Sequence, residues 1–284
     1  MESIGKLERL AGLLAQSGTK KRVIFINPRD NASRKAMQKA EENGFIEPVI
    51  VDDDDPRKAA AQAVEMAKEG KGDLLFKGLI GSDIVLKAVL DKENGILPPG
   101  KVLTHIAVAD IPSYRKLLFY TDAAVLPYPT QAQRVEQVKY LTILCRALGV
   151  VQPRVSLIHC SEKPDPRHFP FTEEYAAIIN MANKGSFGDC IIDGPLDVKT
   201  SLSVEAMRIK GLRSPIGGEA DALVFPDIES ANVFYKTITL FGAARVAALL
   251  QGTEIPVVLP SRGDAPESKY YSILMAALAS SAGQ

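Results

Sequence analysis

The stretch VVLPSRGDAPESKYYSILMAAL, residues 257–278, contains three kinds of sequence in succession. A short β-branched run ends at Pro260, a polar turn follows, and from about Ala265 the apolar residues take helical spacing. That is a strand feeding a helix through a turn. The same order recurs along the chain, with apolar runs at RVIFIN (22–27), PVIVD (48–52), DLLFKG (73–78), THIAVAD (104–110), KLLFYTDAAV (116–125), RVSLIHC (154–160), CIIDGPL (190–196), ADALVFPD (220–227) and IPVVLP (255–260). Helical stretches lie between most of them. SRKAMQKAEENG stops at Gly44, PRKAAAQAVEMAKEGK starts at Pro56 behind Asp55, and QAQRVEQVKYLTILCRALGV closes at Gly149. Strands alternating with helices predict an α/β fold with mostly parallel sheets.

A chain of 284 residues exceeds one ordinary domain and suggests two. The Pro-bearing LPYPTQ ahead of the longest helix marks a crossing near residue 130, and LLQGTEIP, residues 249–256, marks the return. The expected division is residues 1–130 plus 255–284 as the first domain and 131–254 as the second. No internal repeat or low-complexity segment interrupts it.

Composition narrows the function. Thirty-four basic residues balance thirty-four acidic ones, so no field of one sign attracts a nucleic acid or a membrane surface. With 46% hydrophobic and 24% charged residues the chain reads as an ordinary soluble protein, and no run of eighteen apolar residues suggests a membrane span. The opening residues MESIGKLERLAGLLAQSGTKKR read as an amphipathic helix and lack the apolar core of a signal peptide. Three cysteines without C-x-x-C spacing suit a reducing compartment. The expected setting is the cytoplasm, which disfavours reading Arg262-Gly263-Asp264 as a cell-adhesion signal.

Several machineries are missing as motifs: the phosphate loop G-x-x-x-x-G-K-[ST], the dinucleotide fingerprint G-x-G-x-x-G, H-E-x-x-H and G-x-S-x-G. His105 and His159 lie within apolar strand patterns and read as core or edge residues, while His168 stands apart. Carboxylates Asp52 to Asp55 would suit a divalent cation, but Asp55 followed by Pro56 is also an ordinary helix start. No metal is expected.

Parallel sheets bind ligands at the carboxyl ends of their strands. Four turns there carry chemistry. FKGLIGSD offers Lys77 and Ser82, IDGPLD offers Asp193, and FPDIESAN offers Asp227 with Lys236 about two helical turns on. Asp227 and Glu229 also fit as helix caps, and Lys236 as a surface lysine. LPSRGDAPES places Ser261 and Arg262 just before a helix whose start matches a capping box of Asp264 and Glu267. A guanidinium fork, a hydroxyl and a positive helix end suit a tetrahedral anion. An arginine on a surface turn fits the local sequence equally well.

Five motifs in order carry a resemblance: DLLFKGLIGSDIVLKAVLDKENGI, LLFYTDAAVLPYPTQAQ, CIIDGPLDV, ADALVFPDIESANVFYKTI and LPSRGDAPESKYYSI. Together they make the chain resemble the phosphate acetyltransferase and phosphate butyryltransferase family, from about DLLFKG to the C-terminus. Its compact length and the final pattern S-R-x-D-x-x-E-S-K are more similar to the butyryltransferase branch. The resemblance implies reversible transfer between acyl-CoA and inorganic phosphate, giving acyl phosphate and free coenzyme A, with no metal or held cofactor. It also implies the two-domain fold of the isocitrate and isopropylmalate dehydrogenases, an active site in the interdomain cleft, and a homodimer or higher homo-oligomer. Ser261 and Arg262 match the serine and arginine that bind phosphate and stabilise the reacting centre. The acetyltransferase branch carries an aspartate seven residues after that serine, where this chain has Ser268, so the base is left open. Near SDIVLKAVL the family's binding arginines lack a counterpart, Lys87 being the nearest cation. The alternatives are an acetyl-preferring enzyme, a decarboxylating dehydrogenase on the same fold, and a non-catalytic protein that binds CoA or acyl phosphate.

Overall fold

The computed structural model describes residues 6–18 and 20–281. In chain order the first part forms α1 (Arg9–Ser17), β1 (Lys21–Ile26), α2 (Asn31–Glu42), β2 (Ile46–Val51), α3 (Pro56–Lys68), β3 (Leu74–Lys77) and α4 (Ser82–Val89). Next come β4 (Thr104–Asp110), β5 (Leu117–Thr121), α5 (Gln131–Ala147), β6 (Arg154–Ile158), α6 (Phe171–Asn183), β7 (Ile191–Leu196), α7 (Val198–Leu202), α8 (Val204–Ile209), β8 (Ala222–Val224) and α9 (Ile228–Leu240). The chain ends with β9 (Arg245–Gln251), β10 (Val257–Val258) and α10 (Pro266–Ser281). The amphipathic reading of the N-terminus holds for α1, which buries Leu10 and Leu14; residues 1–5 lie outside the described residues.

Two compact units result. One joins the described residues up to Leu103 with those from Val246 onward, and the other is Thr104–Arg245. The sequence reading assigned β4 and β5 to the first domain, but the structure groups them with the second unit. The reason is pairing: β5 runs antiparallel to β4 and parallel to β8, Phe119 standing opposite Ala222.

In the first unit the strand order is β2-β1-β3-β10-β9. All pairs are parallel except β10 with β9. This is the α/β arrangement expected, with one strand unforeseen. RVAALLQ, not among the runs read as strands, is β9. The preceding helix ends at Leu240; at Gly242 a Cβ would meet the Ile238 carbonyl oxygen at 2.7 Å, and Ala243 takes a φ of 48°, which a helix does not admit.

α10 accounts for much of the first unit's core. Its Tyr270, Ile273, Leu274, Met275 and Ala277 are all buried. Burying most of a helix's circumference removes apolar surface at roughly 25 cal/mol per Å². In the second unit the order is β4-β5-β8-β6-β7, and α5 packs over β5 and β8 with Val138, Leu141 and Leu144 fully buried. Thr130 and Gln133 form a reciprocal capping box at the start of α5. No helix among the described residues is long and apolar enough to cross a membrane.

Candidate functional site

In the first unit the carboxyl ends of β1, β3 and β10 lie side by side. Ile26 pairs with Lys77 and Val258 with Phe76, so Lys77 stands beside Leu259, two residues before Ser261. Gly78 allows this arrangement, because a Cβ there would meet the Asn27 carbonyl oxygen at 2.3 Å. The Asn27 side chain in turn exchanges 3.0 Å hydrogen bonds with the backbone of Asp53. The strand ends are therefore fixed before any ligand arrives.

Lys77 is 3% exposed, and its Nζ donates to the Ile80 carbonyl at 3.3 Å. Burial lowers its pKa, reinforced by the nearby cations Lys269 and Arg262 and opposed by Asp30 and Asp264. Lys269, on α10, is equally buried but paired. Its Nζ donates to Asp30 Oδ1 at 2.9 Å and to Ser33 Oγ at 3.1 Å. Asp30 caps α2 by accepting from the Ser33 N–H. Burial pushes its carboxyl pKa up, but the hydrogen bonds from Ser33 and Lys269 outweigh that and hold it at about 2.

Ser261 and Arg262 form a turn with exposed side chains, neither of which makes a hydrogen bond or ion pair among the described residues. The Ser261 N–H donates to Asp264 Oδ2 at 2.7 Å. This corrects the expected capping box. The helix begins at Pro266 and the Lys269 N–H bonds to the Ala265 carbonyl, so Ala265 occupies the cap position and Asp264 closes the turn instead. Ser82 is exposed at the first position of α4, and Gly81 before it supplies no side-chain cap.

Asp52 and Asp54 bind Arg29 at 2.6 and 2.9 Å, and Asp55 caps α3 by accepting from the Arg57 N–H at 2.9 Å. Among the described residues no group of three His, Cys, Asp or Glu is arranged to hold a metal ion. His159 is buried edge-on against Phe169 and Phe171, and His168 pairs with Asp165 on the surface.

The second unit holds Asp193, Asp227 and Lys236. Asp193 accepts from the Ser214 hydroxyl at 2.5 Å. Asp227 caps α9, accepting from the Ser230 N–H at 2.7 Å. Lys236 is exposed, its Nζ 4.7 Å from the Tyr235 ring centroid, and the helical rise sets it about 13 Å along α9 from Asp227. Sequence reasoning missed Arg134. This 1%-exposed guanidinium donates to the carbonyls of Phe225, Pro129 and Pro226, and so braces the turn that presents Asp227. Burial lowers its pKa.

Reasoning from the sequence also missed Lys269 and Asp30. A lysine among the apolar residues of YYSILMAAL was the available signal for the first, and an acid directly before NASRKAM for the second.

Comparison with known proteins brings these features together. The family model described as Phosphate acetyl/butaryl transferase matches residues 54–277. A phosphate butyryltransferase of Clostridium beijerinckii is 34% identical over 95% of this chain and 96% of its own length. Among solved structures, a branched-chain phosphotransacylase from Enterococcus faecalis V583 superposes with a TM-score of 0.79 at 28% identity, covering 91% of this chain and 98% of its own. The fold alone extends further. A 4-hydroxythreonine-4-phosphate dehydrogenase from Klebsiella pneumoniae gives a TM-score of 0.52 at 10% identity over 92% of this chain and 100% of its own.

Proposed function

This chain belongs to the phosphate acetyl/butaryl transferase family, and we propose that it transfers a short acyl group reversibly between coenzyme A and inorganic phosphate, with butyryl preferred. One observation carries the site assignment. At the carboxyl end of β10 an arginine and a serine with free side chains stand beside a buried lysine that has no carboxylate partner. Such a group of donors is arranged for an anion.

In the acyl-CoA direction a phosphate oxygen attacks the thioester carbonyl, negative charge gathers on the carbonyl oxygen, and the thiolate departs. Arg262 grips the phosphate with its fork, which a lysine cannot do bidentately. The Ser261 hydroxyl donates to the oxygen that gains charge. Each such pre-positioned donor lowers the barrier by roughly 3 to 4 kcal/mol. Holding the two reactants together contributes several more. Lys77 and Ser82 extend the binding surface from the β3 end, and Asp193 and Asp227 are assigned to substrate binding in the second unit, whereas Lys236, the other candidate there, is read as a surface lysine. Coenzyme A is a substrate, and the reaction as proposed requires no held cofactor.

The butyryltransferase relative supports butyryl as the acyl group, while the branched-chain phosphotransacylase and the family's description also favour branched and acetyl groups. One methylene discriminates by only about 1 to 3 kcal/mol, so activity over several chain lengths is expected. We place the enzyme in the cytoplasm, which its free thiols Cys145, Cys160 and Cys190 support. We also infer a homodimer or higher homo-oligomer, supported by Val233, Leu240 and Phe241, which stand 65%, 75% and 82% exposed on and just after α9.

The test is CoA release from acetyl-, propionyl-, butyryl- and valeryl-CoA in phosphate, for wild type, Ser261→Ala and Arg262→Ala. Butyryl-CoA is expected to give the highest kcat/KM, and Arg262→Ala to lower it about a hundredfold to a thousandfold. Wild-type protein that releases no CoA from any of the four refutes the reading.

A further inference from the structure

We propose that Lys77 is a catalytic residue of this reaction: a buried lysine without a carboxylate partner, set at the strand end beside the Ser261–Arg262 turn, whose amine takes the proton of the attacking phosphate. The proposal rests on the acyl-transfer reading above and supplies the base that Ser268 cannot be.

The argument begins with what Lys77 lacks. Three cationic side chains are buried among the described residues: Lys77, Arg134 and Lys269. Lys269 has the Asp30 carboxylate at 2.9 Å, and Arg134 has three carbonyl oxygens at 3.1 to 3.3 Å. Lys77 has one carbonyl, that of Ile80 at 3.3 Å, and no carboxylate within ion-pair distance. An ammonium sealed from water with so few acceptors is costly, and loss of the proton relieves the cost.

Its surroundings reinforce this. Arg262, from the turn after β10, and Lys269, from α10, both disfavour a third positive charge. Asp30, at the start of α2, and Asp264, in the Ser261 turn, favour one. Each carboxylate is already engaged, Asp30 with Lys269 and Ser33, Asp264 with the Ser261 N–H. The net effect of burial and these charges is a pKa below that of an ordinary lysine.

Position supplies the rest. Neighbouring strands lie about 4.8 Å apart, and Lys77 follows Phe76, the partner of Val258, so it is level with Leu259, just past β10 and before the Ser261–Arg262 turn. A phosphate gripped by Arg262 comes to rest next to the amine. One oxygen of monohydrogen phosphate then attacks the thioester carbon, forming the C–O bond, and its proton passes to the lone pair of Lys77 Nζ. The C–S bond breaks with its electron pair on sulfur. The ammonium so formed returns its proton to the departing thiolate, giving CoA–SH and restoring the amine. In the opposite direction the amine takes the thiol proton and gives it to phosphate as that leaves.

The first experiment uses unaltered protein. kcat/KM for phosphate, with butyryl-CoA saturating, is measured against pH at two temperatures. An amine base gives an acid limb that moves to lower pH on warming, whereas carboxyl and phosphate ionisations hardly shift. A stationary limb overturns the proposal. The second uses Lys77→Arg, which keeps a positive charge but cannot give up its proton. Its KM for phosphate is expected within about threefold of wild type and its kcat about 100-fold lower, the size of a lost general base. A kcat within about threefold of wild type makes Lys77 a charge only and overturns the assignment. If Lys77→Arg fails to fold, the temperature series decides alone. Wild-type protein inactive with every acyl-CoA refutes the acyl-transfer reading; active wild type with a stationary limb refutes only the role of Lys77.

Discussion

The carboxyl ends of the strands differ between the two units in how their charges are satisfied. In the second unit several charged groups near the strand ends already have partners: Asp193 with Ser214, Asp227 with the Ser230 N–H, Arg134 with three carbonyls, and Lys210 with both Glu162 and Asp197. In the first unit Arg262, Ser261 and Lys77 are left with unused donors beside a pair, Lys269 and Asp30, that is closed. The difference separates structural charge from chemical charge. Groups that complete one another hold the fold, and groups left with donors to spare await an anion.

The largest expected effect breaks the closed pair. Asp30→Asn retains a cap for α2 but leaves Lys269 buried without its counter-charge, and should destabilise the protein by roughly 3 kcal/mol. Urea unfolding at pH 7 measures this. Because the Asp30 pKa is lowered from 3.8 to about 2, its contribution is present above pH 3.8 and lost as pH falls through 2. The shift corresponds to about 2 kcal/mol. Wild type should therefore lose stability over that acid range faster than Asp30→Asn does. Equal slopes would show that the pair is not what holds α10 to α2.

The contrast also explains how much could be read in the sequence. The strand–turn–helix order was legible because apolar β-branched runs end in Gly, Pro or charge, and the Ser261–Arg262 turn was visible for the same reason. β9 was not, since Ala244 to Leu250 consists largely of helix formers, and only pairing with β10 and the break at Gly242 and Ala243 make it a strand. The Lys269–Asp30 pair joins residues 239 apart, so no local pattern shows it. Nor does any local pattern show that Lys77 lacks a partner, because that depends on three strand ends meeting.

In the second unit a smaller effect sharpens the comparison. Asp227→Ala removes the α9 cap and should cost about 1 kcal/mol, read as a lowered Tm. Asp227→Asn keeps an oxygen for the Ser230 N–H and should leave Tm nearly unchanged. If Asp227 serves substrate binding as well, the asparagine variant will alter KM for acyl-CoA or phosphate. If the residue is only a cap, both variants will keep wild-type KM.

The smallest effect is expected at Lys236. Its ammonium is exposed and rests on the neighbouring Tyr235 ring, a contact contributing about 0.5 to 1 kcal/mol at most on a surface. It has no carboxylate within ion-pair distance among the described residues, so like Arg262 it is exposed and unpaired, but Arg262 adjoins Ser261 and the strand end that carries Lys77, whereas Lys236 lies on α9 in the second unit. A single exposed charge acting alone gains little from an anion in water. Lys236→Ala should therefore leave kcat/KM for phosphate and for butyryl-CoA within about twofold of wild type, against the hundredfold loss expected at Arg262. A tenfold loss at Lys236 would mean that a lone exposed charge in the second unit takes part in substrate binding.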